Sequence, residues 1–175
     1  MNFVPWKEKE PWNTYWSRPY INYRKHHQLF WELIRAKSSG KILDLGCGPA
    51  CIWEGTNNDV TGIDFSEEGI KQAKINFPKG KFFVSSILSC PLSAHFDTIV
   101  LCGVVNYFPD LNPLREEVSR LSRSGTHLLI TINDMKGLNE RDWSESVVYQ
   151  EFLRWGDEIE VTFHKGVGWL IEIVV

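Results

Sequence analysis

Short β-rich runs at residues 41–45, 59–63, 81–84, 98–101 and 127–132 alternate with helix-like stretches, notably 66–76 and 113–122. That rhythm constrains the fold more than any other feature of the chain. Strands separated by helical segments return parallel to one another, because each connection is long enough to cross over. The ending breaks the rhythm. After a helix-like segment at 145–155, the strand patterns at 158–164 and 169–175 are joined by KGVG alone. Four residues hold no crossover helix, so these two strands must pair antiparallel as a hairpin. The expectation is one α/β domain with a mostly parallel seven-stranded sheet.

The first forty residues differ from the rest. MNFVPWKEKEPWNTYWSRPYINY carries three prolines and no clean helical or strand period, yet it holds Trp6, Trp12, Trp16, Tyr15, Tyr20 and Tyr23. An arm this aromatic must pack on something. Over 24–36 the spacing of Leu29, Phe30, Leu33 and Ile34 predicts an amphipathic helix, closed by Ser38, Ser39 and Gly40. Residues 1–40 are therefore expected as an aromatic arm and helix laid over the body formed by 41–175.

Composition narrows the partners. Hydrophobic residues at 43% and charged residues at 23% place the chain among ordinary globular proteins. A formal net charge of -3 gives no electrostatic support for nucleic acid, since phosphate backbones select for excess Lys and Arg. No run of eighteen apolar residues and no leader-like apolar stretch is present, so no membrane association is expected. Cys47, Cys51, Cys90 and Cys102 show no framework spacing, which suggests a reducing, cytoplasmic setting. Cys47 and Cys51 lack the His or Cys partners of a recognisable metal site, and none is expected.

The stretch KILDLGCGPA, residues 41–50, runs from the first strand into a turn on Gly46 and Gly48. Such glycines let the backbone turn sharply and approach a ligand closely. Asp64 lies twenty residues beyond Asp44, at the end of the second strand. An acid there can accept hydrogen bonds from both hydroxyls of a ribose. Two details argue against a dinucleotide. The sixth position of the glycine fingerprint is Cys51, and Asp44 would set a negative charge beside a pyrophosphate. A nucleoside ligand that carries a cation and no phosphate fits better.

From Ile42 onward the chain resembles the class I S-adenosylmethionine-dependent methyltransferases. Their first motif, D-x-G-x-G-x-G, falls on Asp44, Gly46, Gly48 and Ala50; VTGIDFSEEGIKQAK is similar to the second motif. HFDTIVLCGVVNYFPD resembles the fourth-strand motif, and RLSRSGTHLLITI the segment leading into the fifth strand. The resemblance implies a Rossmann-like three-layer sandwich with an antiparallel strand inserted beside the fifth. It also implies S-adenosylmethionine as cofactor and S-adenosylhomocysteine as product. Cofactor contacts would come from Asp44, Gly46, Cys47 and Gly48; from Asp64 at the ribose and Phe65 at the adenine; from Ser86 and Ile87; and from Cys102 and Gly103 at the methionine part. Asp97 is expected to position the fourth strand.

The match departs from the family in three places. Ala50 replaces the third glycine and is expected to crowd the cofactor slightly. The segment from Gly48 to Asp64 is short, so the first helix should shrink to a turn or two. Ser86 stands where an acid is usual, which predicts weaker adenine recognition.

Methyl transfer is an in-line displacement that needs alignment and, for an acidic nucleophile, a base. Asn106 and Tyr107 follow the fourth strand, Asn133 and Asp134 the fifth. Asn106, Tyr107 and Asp134 are the catalytic candidates, Asp134 as a base. VVNYFPD lacks the Pro-Pro-aromatic element of enzymes that methylate planar nitrogens, and no recognition domain is inserted. A small-molecule methyl acceptor bound beneath the aromatic arm is therefore expected, in a monomer or homodimer. Two other readings stay open. One is an RNA or protein methyltransferase that needs a basic groove or a partner; the other is a noncatalytic cofactor-binding protein, suggested by Ala50 and Ser86.

Overall fold

A computed structural model describes residues 9–17, 21–133 and 143–175, with the backbone alone described over 21–26. Helices α1 (Glu10–Trp16) and α2 (Ile21–Lys37) precede strand β1 (Lys41–Leu45). Next come β2 (Asp59–Asp64), α3 (Glu67–Asn76), β3 (Lys81–Val84), β4 (Thr98–Cys102) and α4 (Asn112–Leu121). The chain closes with β5 (His127–Asn133), α5 (Glu145–Phe152), β6 (Glu158–His164) and β7 (Gly168–Val174).

The seven strands form one sheet in the order β3-β2-β1-β4-β5-β7-β6. Strands β1 to β5 run parallel, and β7 inserts antiparallel between β5 and β6, with Thr131 opposite Leu170. This is the Rossmann-like arrangement that the family resemblance implied, and it contains the parallel strands and terminal hairpin expected from the alternation.

The central strands are buried on both faces, which is why they read as continuous apolar runs. On one face Leu43 and Leu45 pack with Leu101, Leu114, Val118, Leu121 and Phe152, beneath α4 and α5. On the other, Ile42 and Val100 pack with Trp31, Ile34, Trp53, Ile70 and Ala73, beneath α2 and α3. The α4 residues Leu114, Val118 and Leu121 recur at helical spacing and bury one stripe. Asp44 shares the face of Ile42 on β1, so it points toward Trp53.

The arm shows no clean helical period in sequence, yet Glu10–Trp16 is a helix with Pro11 in its first turn, where a missing N–H costs nothing. The second helix begins at Ile21 rather than residue 24. The reduced first helix is a single 3-10 turn, Cys51–Trp53. Because β1 leads toward β2 on one side and β4 toward β5 on the other, the sheet reverses its order between β1 and β4. Ligands bind open α/β sheets at such a switch point, beyond the carboxyl ends of the strands.

Candidate active site

The glycine loop after β1 has already committed its amides. Gly46 and Cys47 both donate to the Ile63 carbonyl, at 2.7 and 3.1 Å, and Ala50 donates to the Cys47 carbonyl at 2.9 Å. The Gly48 amide donates to Asp64 Oδ2 at 2.8 Å, and Pro49 has no amide hydrogen. A phosphate cradle presents free N–H groups to its anion; these positions present none. The loop therefore fits a phosphate-free ligand, which supports the argument from Asp44.

Gly46 (φ +77) and Gly48 (φ +47) hold left-handed conformations, and Ala50 follows them at φ +51. Ala50 is fully buried in the α2–α3 cluster, so its methyl group packs inside the protein and has no exposure to the cleft. The expected crowding of a cofactor by Ala50 does not arise from this packing.

Asp44 is buried, and its Oδ2 accepts the Trp53 indole N–H at 2.7 Å. Burial pushes its carboxyl up to about 7; the Trp53 bond pulls it down, and the charge of Asp64 adds to the rise. Asp64 sits at the end of β2. Its Oδ1 accepts the Ser66 amide at 2.8 Å while Oδ2 takes that of Gly48. Burial lifts it to about 6, against the pull of those amides. Two buried acids held in one niche favour a cationic or hydroxyl-rich ligand that restores their charge.

Cys47 is buried with its Sγ against Gly62, where a Cβ would lie 2.8 Å from the sulfur. Phe65 is half-buried beside Asp64, Ser86 is exposed and Ile87 half-buried beyond β3. Ser86 Oγ accepts the Leu88 amide at 3.1 Å and so shapes its own loop. Glu117 and Arg120 on α4 hold the far end of that loop, Glu117 through the Cys90 amide and Arg120 through the Cys90 and Leu92 carbonyls.

The ends of β4 and β5 are stitched together. Gly103 (φ +68) donates to Thr131 Oγ1 at 2.9 Å. The Asn106 side chain clasps the Asn133 backbone, donating to its carbonyl and accepting from its amide, both at 3.2 Å. Asn106 thus does the work of a strand residue. The Asn133 side chain crosses toward β4: a Cβ on Gly103 would lie 2.8 Å from its Nδ2, and its buried Oδ1 has no hydrogen-bond partner among the described residues. Cys102 is half-buried, and its thiol is pushed up to about 12 by burial. Asp134 lies outside the described residues.

Helix α1 roofs both halves. Trp16 is buried against Gly48 and Gly69, Trp12 meets Tyr107 edge-on with ring centroids 5.0 Å apart, and Tyr15 packs edge-on against Trp16 at 4.6 Å. Burial pushes the Tyr107 hydroxyl up to about 12, so at neutral pH it keeps its proton and can donate. Away from the site, Asp97 accepts the Lys41 amide at 2.8 Å and pairs with Arg123, which fixes β1 beside β4 as expected.

The structure brings Asp44, Gly46, Gly48 and Asp64 together, with Asn106 and Tyr107 beyond β4. Sequence reasoning missed Trp53 and Asn13. Trp53 lies in a stretch with no residual pattern, and Asn13 acts on residues more than fifty positions away. Among the described residues no group of three His, Cys, Asp or Glu side chains could hold a metal ion, and no helix is long and apolar enough to cross a membrane.

Comparison with known proteins shows the family and the fold. A family model described as a methyltransferase domain matches residues 36–165. The malonyl-[acyl-carrier protein] O-methyltransferase of Enterobacter lignolyticus is 25% identical over 139 residues, covering 73% of this chain and 55% of that protein. The ubiquinone biosynthesis O-methyltransferase of Thiobacillus denitrificans is 29% identical over 125 residues, covering 63% and 54%. The chain thus spans about half the length of these curated relatives. The solved structure of the DhpI–SAH complex superposes with a TM-score of 0.74 at 14% identity, over 98% of this chain and 97% of that one.

Proposed function

We propose that this chain, which belongs to the methyltransferase domain family, transfers a methyl group from S-adenosylmethionine to a small-molecule acceptor. The observation that carries the reading is the niche of Asp44 and Asp64 beside a glycine loop whose amides are internally satisfied. Asp64 would accept the ribose hydroxyls, with Phe65 and Ile87 flanking the adenine and Ser86 beside it. Asp44 would face the cationic part, and the Cys102–Gly103 backbone the methionine end. S-adenosylmethionine, when bound, supplies a methyl carbon on a positively charged sulfur, open to in-line displacement.

What remains for the protein is alignment and exclusion of water. The rings of Trp12, Trp16 and Tyr107 would wall the acceptor side, and aromatic faces suit a small, partly apolar or cationic molecule. Tyr107 would orient the acceptor as a hydrogen-bond donor. The unpartnered Asn133 Oδ1 supports an acceptor that brings a hydroxyl or amine proton. Asp134, which follows β5, is the candidate base. The relatives at 25% and 29% identity are O-methyltransferases, so oxygen acceptors are the first to test.

The experiment is transfer of label from methyl-tritiated S-adenosylmethionine to a panel of phenols, carboxylic acids and amines. Label in at least one small product is expected. Label in RNA or protein from a cell extract, with none in the panel, would replace the small-molecule reading.

A further inference from the structure

A continuous line of hydrogen bonds joins the arm to the acid assigned to the ribose. Asn13 Oδ1 accepts the Ser66 hydroxyl at 2.8 Å and the Glu68 amide at 3.3 Å. The same Ser66 hydroxyl accepts the Gly69 amide at 3.0 Å, which caps α3. The Ser66 amide donates to Asp64 Oδ1, and Asp64 Oδ2 takes the Gly48 amide, each at 2.8 Å. Ser66 is fully buried, so Asn13 supplies the acceptor its hydroxyl proton needs.

The contact is built at both ends of α1. Lys9 pairs with Glu67 on the first turn of α3. Trp16 closes over Gly48 and Gly69, where added Cβ atoms would come within 2.8 and 3.1 Å of its ring. A seven-residue helix has too few internal hydrogen bonds to stand alone in water. Its order comes from docking on α3 and the glycine loop.

We propose that Asn13 is a positioning residue for Asp64, and that docking of α1 and binding of the cofactor favour each other. The proposal rests on the assignment of Asp64 to the ribose. With Ser66 fixed by Asn13, the carboxylate is oriented by backbone amides, Ser66 on Oδ1 and Gly48 on Oδ2 with Phe65 also contributing, and its remaining acceptor capacity is left for the ribose hydroxyls. Loss of Asn13 frees the Ser66 hydroxyl and lets the first turn of α3 shift, so binding must then supply the ordering. Linkage makes the effect reciprocal: cofactor at Asp64 must hold α1 in place.

The test is calorimetric titration of S-adenosylhomocysteine into wild type, Asn13→Ala and Asn13→Asp, with hydrogen exchange of the wild-type segment 10–16. Asn13→Ala should weaken binding about fivefold, the scale of one net hydrogen bond. Asn13→Asp keeps an acceptor oxygen and should stay within about twofold of wild type. Saturating S-adenosylhomocysteine should slow exchange in 10–16, a readout that a merely structural role would not move. Unchanged or tighter binding by Asn13→Ala, or exchange in 10–16 indifferent to ligand, would overturn the coupling while leaving the ribose assignment intact. Failure of the wild type to bind would strike the ribose assignment itself.

Discussion

The Trp53 indole donates to Asp44 Oδ2 at 2.7 Å, tying the 3-10 turn after the glycine loop to a buried acid on the central strand. The bond answers a local problem. Asp44 is flanked in the sheet by Gly62 and Val100, and Trp53 is the donor that offsets part of its burial. Trp53→Phe keeps most of the ring and removes the donor. Stability should fall by about 1–3 kcal/mol, the cost of stranding a buried acceptor, and the Asp44 carboxyl should titrate higher still. Urea unfolding and a carbon-detected NMR titration measure the two effects.

Cofactor affinity should depend on pH through the same acid. Asp44 titrates near 7 without ligand, whereas a cationic ligand beside it favours the carboxylate. Affinity must then fall as pH drops, by about tenfold between pH 8 and pH 6. Asp44→Asn should bind weakly and lose that slope. The ligand-free protein should move the other way. Asp44 and Asp64, titrating near 7 and 6, bind protons more tightly when folded than when unfolded, so their contribution to stability falls as pH rises from about 4 to 7. Thermal unfolding across that range, with and without S-adenosylhomocysteine, separates the two trends.

Asn106 should prove to be a strut. Its amide makes two bonds to the Asn133 backbone, and Asn106→Ala should cost about 1–3 kcal/mol of stability. Affinity for S-adenosylhomocysteine should stay within about twofold, because neither bond involves Asp44 or Asp64. A large loss of affinity without loss of stability would place Asn106 at the cofactor instead.

The sheet was legible because its central strands are apolar on both faces and its hairpin connection is too short for a crossover; strand limits agree to within a residue. The acids were legible from their places at strand ends. Helix α1 was not, since its proline and tryptophans give no helical period and its order depends on α3 and the glycine loop. Nor was the Asn106 clasp, which exists only because β5 ends beside the turn after β4. The link from Asn13 to Ser66 spans fifty-three positions, a separation over which local pattern carries no information. Ala50 misled for a related reason: its position in the motif suggested the cleft, while its fold-determined direction is the core.

In the proposed function Asp64 holds the ribose of S-adenosylmethionine. Asp64→Asn keeps a carbonyl oxygen for one of its backbone amides and removes the charge; the amide left facing Nδ2 should cost about 1–3 kcal/mol of stability. Titration of S-adenosylmethionine into wild type and Asp64→Asn, with circular dichroism to confirm folding, tests this ribose contact. Measurable wild-type binding is expected, with a loss of about 1.5–3 kcal/mol in the variant, the scale for hydrogen bonds to a charged group. Equal affinity in a folded Asp64→Asn protein, or no binding by the wild type, would contradict it.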